Sequence, residues 1–159
     1  MSNKIKVDLG NNSYNISLIE GFKNSVVKFA SSTKSQCMLI TQKEILSLYK
    51  DEINELSNLP NVNIFLIDQG EKAKSFESIS LIVNEMAKKH FDRSSLVFAL
   101  GGGVVGDVGG FASSIFMRGI KYIQYPTTLL AMVDSAIGGK TGINLKDGKN
   151  LVGRIYQPI

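Results

Sequence analysis

The chain has 159 residues, 43% of them hydrophobic and 20% charged, with one Cys, three Pro and no Trp. That length predicts one domain able to bury a core, and the composition excludes a disordered or disulfide-stapled chain. The net charge of +4 is uneven: residues 1–79 carry nine Lys against nine acids, whereas residues 80–159 carry nine Lys and Arg against five.

Residues 5–9 and 14–18 alternate around Gly10, Asn11 and Asn12, which predicts a hairpin. An amphipathic stretch over 22–30 precedes the apolar run 37–40, a buried strand. Ile45, Leu48, Ile53 and Leu56 recur at helical spacing and predict one helix over 44–56. Pro60 closes it, and 62–67 reads as the next strand. Ser75 opens a further helix whose Ile79, Ile82, Val83 and Met86 share a face, with Lys88, Lys89 and His90 in its last turn. Residues 95–100 form a continuous apolar strand that runs into Gly101, Gly102 and Gly103. A helix over 104–116 follows, then a short strand over 122–125 stopped by Pro126. Thr127 or Thr128 caps a helix over 128–135, and from Gly138 onward the chain reads as loop. Strands alternating with helices predict an α/β fold, Rossmann-like, with a mostly parallel sheet behind the N-terminal hairpin. Ligands bind such sheets beyond the carboxyl ends of the strands.

Twelve of the fifteen glycines lie between Gly101 and Gly153, so the glycine-rich half is also the basic half. That combination suits an anionic small molecule. Without a Lys/Arg run or an aromatic-interleaved basic stripe, nucleic acid is not favoured. No stretch approaches the roughly 18 apolar residues of a membrane span, and the first residues carry no apolar signal segment. The lone Cys37 points to a reduced, cytoplasmic setting.

Gly101-Gly102-Gly103-Val104-Val105-Gly106 satisfies G-x-G-x-x-G directly between a strand and a helix. Backbone free of side chains lets N–H groups approach a pyrophosphate at a helix N-terminus. The alternative is a tight strand–helix turn, with Gly109 and Gly110 allowing close packing. The dinucleotide fingerprint also expects an acid about 20 residues on, and 122–125 supply none. A bound dinucleotide therefore implies a variant of the standard fold. Gly139-Lys140-Thr141 matches the tail of a P-loop, but Asp134 stands where its first glycine belongs, which argues against a triphosphatase. Gly138-Gly139-Lys140 and Gly148-Lys149-Asn150 are either two solvated turns or two cations, Lys140 and Lys149, presented to an anion. Asp107, Arg118 and Asp134 sit inside or beside apolar helices, where burial demands a partner; for Asp107, N–H groups of its own loop could serve. His90 is the only histidine, and one Cys, one His and no clustered acids make no metal site within the chain.

Taken together, the run Gly101 to Asp107, Gly110-Phe111-Ala112, Arg118-Gly119, the run Pro126 to Ala131, Val133-Asp134-Ser135, the run Gly138 to Gly142, Asn144, and Gly148-Lys149-Asn150 with Gly153 closely resemble the 3-dehydroquinate synthase family. Gly70-Glu71 and Lys74 fit it too. The resemblance implies an enzyme that turns 3-deoxy-arabino-heptulosonate 7-phosphate into 3-dehydroquinate and phosphate in the shikimate pathway. It implies NAD+ as a catalytic redox cofactor, a divalent zinc or cobalt ion acting as Lewis acid, and a homodimer. By the same resemblance, Glu71 and Lys74 are cofactor contacts, Gly102, Gly103, Val104, Val105, Gly106 and Asp107 form the pyrophosphate loop, and Thr127 and Thr128 add further contacts. Asp134 stands by the nicotinamide. Lys140, which also meets the cofactor, and Asn150 hold the substrate phosphate, Lys149 lies closer to the cofactor, and Arg118 reaches the phosphate across a dimer interface.

The chain also departs from that pattern. Gln42 follows Thr41 where many family members have an acid, Ala136 follows Ser135 where a second Ser is usual, and Arg154 occupies a position where a small residue is common. Family members are roughly twice as long, as two-domain proteins are. The expectation is an N-terminal NAD-binding domain over 1–159, with the metal ligands in a helical C-terminal domain outside this chain, and no turnover by the 159 residues alone. The alternatives are another sugar-phosphate cyclase, a polyol dehydrogenase of the glycerol dehydrogenase type, or a non-catalytic nucleotide-binding module.

Overall fold

In the computed structural model, which describes residues 4–159, the apolar runs become a four-stranded parallel sheet between two helix layers. Ahead of it, β1 (Lys4–Val7) and β2 (Tyr14–Ser17) pair antiparallel as the expected hairpin. The chain then forms α1 (Lys23–Ser31), β3 (Cys37–Gln42), α2 (Lys43–Leu48), α3 (Lys50–Ser57) and β4 (Val62–Ile67). It continues through α4 (Phe76–Lys88), β5 (Leu96–Gly101), α5 (Gly103–Ile115) and β6 (Lys121–Pro126). The single helix expected over 44–56 is two, because Tyr49 leaves helical geometry at φ −117° and ψ 36°. Ser75 caps α4 as its sequence predicts, accepting from the Ser78 N–H at 3.2 Å. His90, with φ 57°, ends that helix in the left-handed region.

The strand order is β4-β3-β5-β6, all parallel. Side chains alternate across the sheet. Cys37, Leu39, Phe98 and Leu100 pack with Val26, Ile53 and Leu56, while Met38, Ile40, Val97 and Ala99 pack with Ile82, Met86, Val105 and Val108. Cys37 lies wholly inside the first of these layers, and burial pushes its thiol up to about 11. The connections leave β3 in one direction and return to β5 on its other side, so strand order reverses between β3 and β5. The buried Thr41 hydroxyl ties those strands there, donating to the Leu100 carbonyl at 2.8 Å.

The segment expected as loop after Gly138 is instead an antiparallel hairpin, β7 (Lys140–Leu145) with β8 (Gly148–Ile155). Its glycines are structural: Gly142 faces Gly153 across the pair, and a Cβ on Gly153 would lie 2.1 Å from the Thr141 backbone oxygen. The hairpin also lies flat on α5, where a Cβ on Gly110 would fall 2.4 Å from the Thr141 methyl. The helix expected over 128–135 is present, but its end, Ala131–Ser135, is wound as a π-helix. Thr128 caps it, its hydroxyl accepting from the Ala131 N–H at 3.2 Å. Among the described residues, no helix is long and apolar enough to cross a membrane.

Candidate functional site

Helix α5 starts directly at the carboxyl end of β5, beside the point where strand order reverses. Gly102 is its N-cap, and no side chain caps it. The Val105 and Gly106 N–H groups donate to the Gly102 carbonyl at 3.1 and 3.2 Å, which leaves the Gly103 and Val104 amides as the first-turn donors without an intrahelical partner or a side-chain acceptor. A Cβ on Gly103 would meet Ser135 Oγ at 3.2 Å, and one on Gly106 would meet Gln124 Oε1 at 2.7 Å. The Ser135 and Thr127 hydroxyl oxygens are both buried without a hydrogen-bond partner. A glycine-lined helix start with unpaired amides and two unpaired hydroxyls fits the phosphates of a dinucleotide. Thr127 is fixed beside it, its N–H donating to the Gly101 carbonyl at 2.9 Å.

A cleft of about 500 Å³ opens between α5, the π turn and the β7–β8 hairpin, and Asp107, Asp134, Ser135, Lys140, Asn150 and Arg154 line it. Behind it lies Lys74, only 5% exposed. Its ammonium binds Asp107 Oδ2 at 2.6 Å and the Asn150 side-chain oxygen. Asp107 thus takes its partner from a turn 33 residues earlier, not from its own loop. Burial raises the Asp107 carboxyl above its ordinary range, with the Lys74 charge opposing that rise. Glu71 is exposed and accepts from Asn144 Nδ2 at 2.7 Å, the main reason its carboxyl is held low; the charges of Lys74 and Lys149 add to this. Asn150 is held with φ 56°, in the left-handed region.

The structure therefore gathers Asp107, Asp134, Lys140 and Asn150 around one cleft, joins Lys74 to two of them, and sets Gly102, Gly103, Val104, Val105 and Gly106 at the α5 start. Thr127 and Thr128 stand at the end of β6. Arg118 is not among the lining residues: it is exposed past the far end of α5, with φ 69°. Asp134 is exposed too, so of the three charges expected to be buried only Asp107 is even partly so. Lys149 is exposed on β8. Arg154, whose role the sequence leaves open, stacks over the Tyr156 ring and donates to the Ser114 carbonyl at 3.1 Å, near the carboxyl end of α5. Gln42 points its amide at the Asp68 carbonyl, 2.8 Å away. Sequence reasoning missed the bridging role of Asn144; its only signal was membership of a glycine-, lysine- and asparagine-rich motif.

These features define a parallel α/β domain with a phosphate-type helix start and a charged cleft at the switch point. The profile of the 3-dehydroquinate synthase N-terminal family matches residues 64–159, and the chain belongs to that family. It is 45% identical over 155 residues to the 3-dehydroquinate synthase of Dictyoglomus turgidum, covering 98% of this chain and 42% of that protein. Over 162 residues it is 45% identical to the enzyme of that name from Prochlorococcus marinus subsp. pastoris, covering 98% and 45%. The chain thus spans less than half the length of these relatives. Among solved structures it resembles a 2-deoxy-scyllo-inosose synthase complexed with carbaglucose-6-phosphate, NAD+ and Co2+. The TM-score is 0.83 at 27% identity, over 98% of this chain and 44% of that one.

Proposed function

We propose that residues 1–159 are the NAD-binding domain of a 3-dehydroquinate synthase, a phosphate-eliminating cyclase acting on 3-deoxy-arabino-heptulosonate 7-phosphate. The observation that carries this reading is the convergence of Lys74, Asp107, Lys140 and Asn150 beside an uncapped, glycine-lined helix start, in a chain of that family. Bound NAD+ would supply a hydride acceptor for one secondary alcohol of the substrate and be regenerated in each turnover. The first-turn amides from Gly103 onward would hold its pyrophosphate, with Thr127, Thr128, Glu71, Lys74 and Lys149 around the rest. Lys140 and Asn150 would hold the substrate phosphate, Arg118 would reach it from a second protomer, and Asp134 would stand by the nicotinamide. Among the described residues, no group of three or more His, Cys, Asp or Glu could hold a metal. A zinc or cobalt ion does not fit this chain's donors, and we place its ligands in a second, helical domain. The buried, unpaired Cys37 fits a cytoplasmic setting.

Calorimetric titration with NAD+ and a phosphate-release assay test the reading. The expected result is that the 159-residue chain binds NAD+ at best weakly and releases no phosphate, even with added zinc. The complete gene product, carrying a second domain, releases it. Phosphate release by the chain alone, or none by the complete product, overturns the proposal. A second reading, another sugar-phosphate cyclase, draws on the likeness to the 2-deoxy-scyllo-inosose synthase. Turnover of a phosphorylated hexose in preference to the heptulosonate phosphate would select it.

A further inference from the structure

Asn144 has no part in the roles above, yet it joins three segments of the cleft. Its backbone N–H donates to the Lys74 carbonyl at 2.9 Å. Its side-chain Nδ2 donates to Glu71 Oε2 at 2.7 Å, and its Oδ1 accepts the Asn150 N–H at 2.8 Å. Asn150 in turn presents its own side-chain oxygen to Lys74, which also binds Asp107 on α5. The loop runs from the Glu71–Lys74 turn through β7 to β8 and back, with Asn144 as the residue that touches both ends. Its chemistry is suited to this. A short planar amide offers a donor and an acceptor together, whereas Asp has no donor when ionised and Ala has neither. The left-handed Asn150 needs such an anchor, since its backbone leaves the ordinary strand region at φ 56°.

We propose that Asn144 is a positioning residue: one side chain sets the cofactor-side turn, with Glu71 and Lys74, in register with the substrate-side Asn150. The two halves of the cleft are then built as a unit, and a change at one is felt at the other. This inference rests on the NAD+ reading above.

Two variants separate the two hydrogen bonds. Asn144→Ala removes both, while Asn144→Asp keeps the acceptor for the Asn150 N–H and loses the donor to Glu71. Three readouts on the full chain are used: the Glu71 carboxyl titration by carbon NMR, hydrogen exchange at the Asn150 amide, and NAD+ affinity by calorimetry. In Asn144→Ala the Glu71 titration moves up, Asn150 exchanges faster, and NAD+ binds about tenfold more weakly. In Asn144→Asp the Asn150 amide stays protected while Glu71 again titrates higher. Its NAD+ affinity is reduced at neutral pH and recovers as the pH falls and a proton shared between the two carboxyls restores the link. A purely structural role produces no such recovery. Should Asn144→Ala not fold, the near-isosteric Asn144→Asp carries the test through all three readouts.

Unchanged NAD+ affinity in both variants overturns the proposal, as does Asn150 exchange equally fast in both. If the wild-type chain does not bind NAD+ but both NMR readouts respond as stated, the cofactor reading falls and the hydrogen-bonded link stands.

Discussion

The two rims of the parallel sheet are built on opposite rules. At the amino rim, Asp92 accepts from the Ser94 N–H and hydroxyl at 2.8 Å each, from Ser95 Oγ at 3.2 Å and from Ser35 Oγ at 3.1 Å. Nearby, Asn61 Nδ2 donates to the Ala30 carbonyl at 2.9 Å and to the Ser35 carbonyl at 3.2 Å. The carboxyl rim holds two buried hydroxyls with no partner, a left-handed Asn150 and a buried lysine. One strand, β5, connects both. On the proposed reading, polar groups that stabilise only the fold are saturated locally, and groups that would face a ligand are left short of partners or paired at a distance.

The strongest way to break that contrast is at Lys74. Lys74→Met leaves the Asp107 carboxylate and the Asn150 oxygen without their cation. Removing one partner of a buried pair costs about 3–5 kcal/mol, and the lower end applies because Asp107 is partly solvated. The Asp107 carboxyl is already raised by burial, and losing Lys74 raises it further above the unfolded value near 3.8. The deficit is therefore smallest where Asp107 is protonated in the folded state of both proteins, and it grows as pH rises through the interval between the raised wild-type folded-state pKa and the still higher one of the variant. Urea unfolding across the acid range measures this. The second change Asp107→Asn should recover most of the loss at neutral pH. A deficit that is flat with pH would show that the pair is not what Lys74 contributes.

Next in size is an effect on ligand alone. A valine at Gly103 would place its Cβ 3.2 Å from Ser135 Oγ and its methyls near the first-turn amides. Gly103→Val should weaken NAD+ binding by about tenfold or more, equivalent to about 1.4 kcal/mol, with a smaller change in thermal stability. Unchanged affinity would remove the pyrophosphate assignment from the α5 start.

The same contrast explains what could be read in the sequence. Strands buried on both faces show as continuous apolar runs, so the strands read at 37–40 and 95–100 were legible, and so was the helix start after Gly101. The β7–β8 hairpin was not. Gly142 and Gly153 pair face to face and contribute no side chain to an alternating pattern, and only Thr141 and Ile143 supply buried positions that Lys140 and Asn144 obscure. The burial of Lys74 was equally hidden: nothing in Lys72-Ala73-Lys74 separates the buried lysine from the exposed one, because the partner that decides it, Asp107, lies in another element. Arg118 and Asp134 misled in the other direction. Their apolar neighbours Met117, Val133 and Leu130 are themselves exposed, so an apolar flank there did not mean a buried charge. The site was thus legible as motifs, while its wiring depended on contacts between distant segments.

The smallest effect is expected at the amino rim. Asp92→Asn keeps an acceptor for the Ser94 N–H but removes the charge that the surrounding hydroxyls solvate. The side chain is exposed, so the loss is about 0.5–1 kcal/mol at neutral pH. Hydrogen bonding, first from the Ser94 hydroxyl, holds the Asp92 carboxyl below its ordinary 3.8. The wild-type advantage is therefore present above that value and disappears as pH falls through the lower folded-state pKa, the same direction as the trend expected for Lys74→Met but at lower pH. Because the rim is about a strand's length from the α5 start, NAD+ affinity should be unchanged. If Asp92→Asn weakened NAD+ binding as much as Gly103→Val does, the two rims would be energetically coupled through β5, and their division into a structural and a ligand-directed edge would not hold.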